Sequence, residues 1–196
     1  PSPGVAAAVI SKFLPDDNPP EIMAETELAW RQLSGEPVLG VTGTSGKTTT
    51  TSLCAAMLKE QGLAVFTGGN IGTPLSEYIL SGEKADVVVL ELSSFQLQTC
   101  STLHPRVGIL LNISENHLDF HKDMEDYCDA KGKLFGICDT GCVNADDPWT
   151  SLPGSTESRR GKSIIRNRNV SRICSSWART TAAMPKRHGW PAANSA

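Results

Sequence analysis

Between Pro37 and Val143 the chain alternates short, continuous apolar runs with helix-like segments. Val38-Leu39-Gly40-Val41 leads through a glycine turn into a helical stretch from Lys47 to Gln61. Leu53, Ala56, Met57 and Leu58 form its apolar side, and Gly62 stops it. A second run (Leu63 to Phe66), a Gly-rich turn (Gly68-Gly69-Asn70-Ile71-Gly72) and a helix from Pro74 to Leu80 follow. Two β-branched runs come next, Asp86 to Glu91 and Val107 to Asn112, then a helix from Asp123 to Phe135 and a short strand at Gly141-Cys142-Val143. Runs of four to six apolar residues without alternation suit strands covered on both faces. With helices between them they predict βαβ units, an α/β class and a mainly parallel sheet.

The flanks read differently. Residues 1–36 hold Pro15, Pro19 and Pro20 and one short helix-like run, Glu21 to Leu33, too little for a core of their own. Residues 1–152 carry 9 Lys+Arg against 20 Asp+Glu, a formal −11, whereas 153–196 carry 9 against 1, a formal +8. The C-terminal segment also lacks apolar periodicity, which predicts a disordered basic tail. The reading favoured for it is a translation in another frame or a truncated gene copy. The alternative is a nucleic-acid-binding arm with Trp177 and Trp190 for stacking. No stretch reaches the ~20 apolar residues of a bilayer-spanning helix, and Pro1-Ser2-Pro3-Gly4 lacks a basic segment followed by an apolar one, so a soluble protein without a secretory signal is expected. Six scattered cysteines without a Cys-x-x-Cys pair point to reduced thiols; a zinc site from Cys138, Cys142 and His121 has poor spacing.

The strongest chemical signal is Thr42-Gly43-Thr44-Ser45-Gly46-Lys47-Thr48-Thr49, placed between a strand and a helix. Glycines let backbone N–H groups turn toward a phosphate, and the helix N-terminus adds positive potential. Lys47 is positioned to reach the β/γ-phosphates of ATP, and the Thr48 hydroxyl to bind Mg²⁺. Position 41 is Val, so this is a shortened phosphate loop in which Gly43 supplies the turn. Glu91 ends the most apolar strand, where ligands of open α/β sheets gather and a carboxylate can hold Mg²⁺. His117 lies just past the next strand end, in the same predicted crevice. Lys131 reads, from the residues alone, as a solvated helix lysine.

Taken together, the phosphate loop, Gly69-Asn70-Ile71-Gly72, Leu90-Glu91-Leu92-Ser93-Ser94-Phe95-Gln96-Leu97, Asn112 to Asp119 and Asn144-Ala145-Asp146-Asp147 resemble the Mur ligases. These are the ATP-dependent amide-forming enzymes of peptidoglycan precursor synthesis. The turn at 69–72 and the strand end at 90–97 resemble the forms of the D-glutamate-adding branch. The resemblance implies an enzyme that uses ATP and Mg²⁺ to join D-glutamate to UDP-N-acetylmuramoyl-L-alanine through an acyl phosphate. Gly43, Thr44, Ser45, Gly46, Lys47, Thr48 and Thr49 then hold ATP. Thr48, Glu91, His117 and Lys131 hold metal, the lysine as its carbamate, and Lys47, Glu91, His117 and Lys131 are the catalytic set. Asn70 and Ser93 face the UDP-muramoyl substrate.

By the same resemblance, 1–36 is the remnant of a UDP-binding domain with its linker, 37–152 a partial ATP-binding domain and 153–196 an unrelated tail. On this division the chain alone is expected to be inactive. The implied protein is cytoplasmic and monomeric at full length, with neither membrane nor nucleic acid as partner. Asn116 stands where the family has Asp, which removes a carboxylate beside His117. A reading from a different class is a non-ligase nucleotide-binding module, with or without a nucleic-acid-binding tail.

Overall fold

The structure is a computed structural model, described over residues 23–151 and 163–167. Its centre is a six-stranded sheet in which every pairing is parallel. In chain order the elements are α1 (Glu25–Trp30), β1 (Val38–Thr42), α2 (Lys47–Glu60), β2 (Val65–Gly69), α3 (Leu75–Ser81) and β3 (Val87–Glu91). They continue with α4 (Ser94–Gln98), β4 (Val107–Leu110), α5 (Met124–Ile137), β5 (Thr140–Asn144), a 3₁₀ turn (Pro148–Ser151) and β6 (Ser163–Asn167). The strand order is β2-β3-β1-β4-β5-β6.

The middle strands β1, β3 and β4 are buried at every position, which is why their sequences run apolar without alternation. One face of the sheet packs Leu39, Val41, Val87, Val89 and Ile109 against Cys54, Ala55 and Leu58 of α2. The other packs Val38, Val88, Leu90 and Leu92 against Leu75 and Tyr78 of α3, Leu97 of α4 and Leu134 of α5. Glycines in the inner strands admit these helices. A Cβ on Gly108 would stand 2.8 Å from Leu134 Cγ.

Helix α1 is six residues long, shorter than the run 21–33 suggested. It joins the core through Ala29, and its Glu27 carboxylate is fully buried. That carboxylate accepts hydrogen bonds from Thr102 N (2.9 Å), Leu103 N (2.9 Å), Thr102 Oγ1 (2.5 Å), Ser101 Oγ (3.2 Å) and Arg31 Nε (3.1 Å). Burial alone would push the carboxyl up; the hydrogen bonds from Thr102, Leu103 and Arg31 outweigh it and hold it at about 2. The helix is thus pinned to the loop after α4.

The sequence pattern is corrected at two places. Helix α4 forms inside a stretch without helical periodicity, because Ser93 accepts from Gln96 N while Gln96 Oε1 accepts from Ser93 N, a closed capping box. Strand β6 lies within the segment 153–196, where no element was expected. It adds to the edge of the existing sheet by pairing with β5, Gly141 opposite Ile164 and Cys142 opposite Ile165, and builds no layer of its own. The expected disorder in the remainder of 153–196, and the remnant domain in residues 1–22, lie outside the described residues. Cys100, Cys128, Cys138 and Cys142 are outside any disulfide, whereas Cys54 is disulfide-bonded, against the all-reduced expectation. No helix among the described residues is long and apolar enough to cross a membrane.

Candidate active site

The loop after β1 turns through Gly43 into Gly46, whose φ of 79° is left-handed and open to glycine at little cost. Gly46 is the N-cap of α2, so the first amides of that helix point out of its end. The loop is braced from the end of β4. Thr44 N donates to Asn112 O (3.0 Å), Ser45 N to Asn112 Oδ1 (2.9 Å), and Asn112 Nδ2 to Ser45 O (3.1 Å). Thr44 Oγ1 bridges Ser114 O (3.2 Å) and the Tyr127 hydroxyl (3.1 Å). Lys47 Nζ folds back to donate to Thr44 O (3.1 Å), across the mouth of the loop.

Beside this loop, Glu91 closes β3 with its side chain almost wholly buried, at 2% exposure. Its Oε2 accepts from the Thr48 hydroxyl (2.8 Å) and its Oε1 from the Asn70 amide (2.9 Å). Asn70 is brought there by the turn after β2, whose Asn70 N also donates to Glu91 O (2.9 Å). Gly69, at φ 98°, makes that approach possible: a Cβ there would stand 2.5 Å from Glu91 O. Ser93, predicted to face substrate, spends its hydroxyl on the capping box of α4.

Lys131 departs from the solvated helix lysine that its sequence context suggests. It is 2% exposed, its Nζ donates to Gly43 O (3.0 Å) and it lies 4.6 Å from the centroid of the Tyr127 ring. Burial, and then the like charge of Lys47, push its amine down to about 7. Both effects favour the neutral amine over the ammonium relative to an exposed lysine. His117 is exposed and holds a left-handed backbone, φ 56°. Its ring sits edge-on to Phe95 (5.1 Å) and to Tyr127 (6.4 Å). Lys131 and His117 thus meet at the same tyrosine, which itself bonds to the phosphate loop.

The donors fit a small divalent cation. A hydroxyl and a carboxylate stand side by side at the head of a helix, and Mg²⁺ is commonly held by one or two carboxylates together with substrate phosphates. Among the described residues no cluster of three or more His, Cys, Asp or Glu is arranged to hold a metal by itself. His121, weighed as a zinc ligand from the sequence, instead bonds to Ser94 and Asp126. Sequence reasoning gave no role to Tyr127 or Asp126, took Asn112 and Ser94 only as parts of motifs, and weighed His121 only as a zinc ligand. Tyr127 shares a helix with Lys131 one turn earlier, a spacing that marks a shared face. Asp147, in the motif left without a role, accepts from Ile113 N (3.0 Å) and Trp149 N (3.0 Å) and so secures the end of β4.

Residues 41–170 match the Mur ligase middle domain family. The chain is 65% identical over 147 residues to a UDP-N-acetylmuramoylalanine--D-glutamate ligase of Nitratidesulfovibrio vulgaris (strain DP4), covering 75% of this chain and 33% of that protein. It is 69% identical over 141 residues to the same-named protein of Desulfovibrio desulfuricans, covering 72% and 32%. The chain therefore spans about a third of the length of these curated relatives. Among solved structures, a MurF ligase from Thermotoga maritima in complex with ADP is similar with a TM-score of 0.56 and 28% identity, over 72% of this chain and 35% of that one. A sheet with this order, a phosphate loop braced by Asn112 and a match over most of the chain lead to one conclusion: the chain belongs to the Mur ligase middle domain family.

Proposed function

We propose that this chain is the nucleotide-binding part of a ligase that joins D-glutamate to UDP-N-acetylmuramoyl-L-alanine with ATP. The observation that carries the reading is the pairing of the Thr48 hydroxyl with the buried Glu91 carboxylate at the N-terminus of α2. That arrangement suits a Mg²⁺ held against a nucleotide phosphate. The names of the 65% and 69% identical relatives supply the substrate assignment.

A carboxylate is a poor acyl donor, so phosphorylating it first provides a leaving group for the amine of D-glutamate to displace. Mg²⁺, when bound, supplies Lewis-acid neutralisation of the phosphate oxygens. In this reading Gly43, Thr44, Ser45, Gly46, Thr48 and Thr49 cradle the ATP phosphates. Lys47 swings from Thr44 O to the β/γ-phosphates and offsets the repulsion between two approaching anions. Glu91 and Thr48 hold one cation.

Asn70 orients the muramoyl end while anchoring Glu91; Ser93 joins it only by exchanging Gln96, the partner that its hydroxyl holds in the capping box, for the substrate. Lys131, with an amine near neutrality, takes up carbon dioxide: its lone pair attacks the carbon, a proton leaves to solvent and a carbamate anion forms. That anion and His117 complete a second cation site. ATP and UDP-linked precursors are cytoplasmic metabolites, which fits a cytoplasmic location, and the full-length protein is proposed to act as a monomer.

The test is calorimetric titration of the chain with Mg-ATP. The native chain should bind, Lys47→Ala should abolish binding, and Glu91→Gln should remove its dependence on Mg²⁺. Binding unchanged by both substitutions would overturn the reading. Hydrolysis of ATP indifferent to both D-glutamate and the UDP-muramoyl substrate would instead favour a nucleotide-binding module outside ligation.

A further inference from the structure

His121 is 1% exposed, yet both ring nitrogens are engaged. Nδ1 lies 2.9 Å from Asp126 Oδ2 and Nε2 lies 2.9 Å from Ser94 Oγ. The Gln98 amide stands farther off, 3.4 Å from Nδ1. A carboxylate only accepts, so Nδ1 carries the proton, and in the neutral ring Nε2 accepts from the Ser94 hydroxyl. This Ser-His-Asp order matches that of hydrolytic triads. Ser94 is itself 1% exposed on the first turn of α4, so no substrate reaches its oxygen. The arrangement is a joint.

What the joint connects is specific. Ser94 starts the helix that follows Glu91 and Ser93; Asp126 is in the first turn of α5, the helix that carries Tyr127 and Lys131. Between them His121 closes the turn of His117: His121 N and Phe120 N both donate to His117 O (2.9 and 3.1 Å). A non-glycine residue at φ 56° persists only where its surroundings over-determine it. The ring completes that constraint. It stacks on Phe95 at 5.7 Å with an interplanar angle of 8°, and the same Phe95 receives the His117 ring edge-on.

We propose that His121 is a positioning residue that, through Ser94, Asp126 and Phe95, fixes the His117 imidazole in the nucleotide-cation crevice and keeps α4 and α5 in register across it. The proposal rests on the reading above, in which His117 faces a cation. It assigns no catalytic contact to His121.

The experiment uses the whole chain, ¹⁵N-labelled at histidine, with Mn²⁺ and ADP as the probe. In the native chain the bound Mn²⁺ should broaden the ring resonances of His117. Ser94→Ala and Asp126→Asn each remove one arm of the joint and leave the ring stack, and His121→Gln removes the stack. All three should reduce the broadening at His117 several-fold in buffer where the urea curve of each variant still shows the folded baseline; Ser94→Ala lowers the midpoint, because it leaves the buried His121 Nε2 without its partner. Asp126→Glu should restore part of the broadening lost in Asp126→Asn. Broadening in the native chain that is equal in Ser94→Ala and Asp126→Asn overturns the positioning role and leaves the cation reading intact. Absence of broadening in the native chain, with ADP bound, overturns both.

Discussion

Lys131→Met isolates the buried amine at the heart of the site. Methionine matches the lysine stem in length and apolarity, so the substitution removes a titratable group with little change in packing. In the native chain burial and Lys47 lower the Lys131 amine from 10.5 to about 7. A base with a depressed folded-state pKa binds fewer protons folded than unfolded between those two values. Stability therefore rises with pH across the window from about 7 to 10.5 and is flat with respect to this group below it. Each pKa unit corresponds to ~1.4 kcal/mol, so the native chain should gain about 3 kcal/mol relative to Lys131→Met between roughly pH 7 and 9.5.

The lost hydrogen bond to Gly43 O shifts the variant by a constant and leaves the slope of the difference untouched. Urea unfolding in CO₂-free buffers, run in parallel on both proteins, reads that difference directly. A difference that stays constant across the window would refute the claim that Lys131 is held in a state that favours the neutral amine.

Three further outcomes follow from named contacts. Glu27→Gln sets an amide N–H against the donors that the Glu27 carboxylate satisfies, and should destabilise the chain by ~3 kcal/mol at neutral pH. Because that carboxyl is held at about 2, its contribution is present above about 4.5 and fades as pH falls toward 2; equal acid unfolding of variant and native chain would contradict it. Asn112→Ala strips the acceptor from Ser45 N and should lose ~1–3 kcal/mol by urea unfolding, with weaker Mg-ATP binding by calorimetry; a silent substitution would show that the loop holds its shape unaided. Gly69→Ala forces a Cβ against Glu91 O and should both destabilise the chain and weaken Mg-ATP binding, since Asn70 and Glu91 move together; loss of neither would discount the close approach.

The sheet was readable because its strands are covered on both faces and so carry no alternation to confuse with a helix. Where the signal is main-chain pairing, as in β6, or a two-residue capping box, as in α4, side-chain periodicity has nothing to report. The same division holds in the site. Lys47, Thr48 and Glu91 were legible because a phosphate loop and a strand-end carboxylate are local patterns. The burial of Lys131 was not, since it depends on Gly43 and Tyr127 arriving from two separate elements. Ser94, His121 and Asp126 span 33 positions and form no motif; the fold alone makes them neighbours.

That convergence follows from the strand order. The chain leaves β1 toward β2 on one side of the sheet and later places β4 on β1's other flank, so the loops after β1 and β4 diverge over opposite halves and open a crevice at the carboxyl ends of the strands. Asn112 spans that crevice to hold the phosphate loop, and Glu91 and Asn70 enter it from β3 and β2. Helix α5 approaches from outside the strand ends and brings Tyr127 and Lys131 to the loop. The position of Lys131 therefore depends on the placement of α5, whereas Thr48 and Glu91 are set by α2 and by the end of β3. Asp123 and Asp126 fix where α5 starts, Asp123 by accepting from Asp126 N (2.9 Å) and Asp126 by reaching His121. A charge change at either position should act on the site before it acts on the core, because the sheet is complete without them.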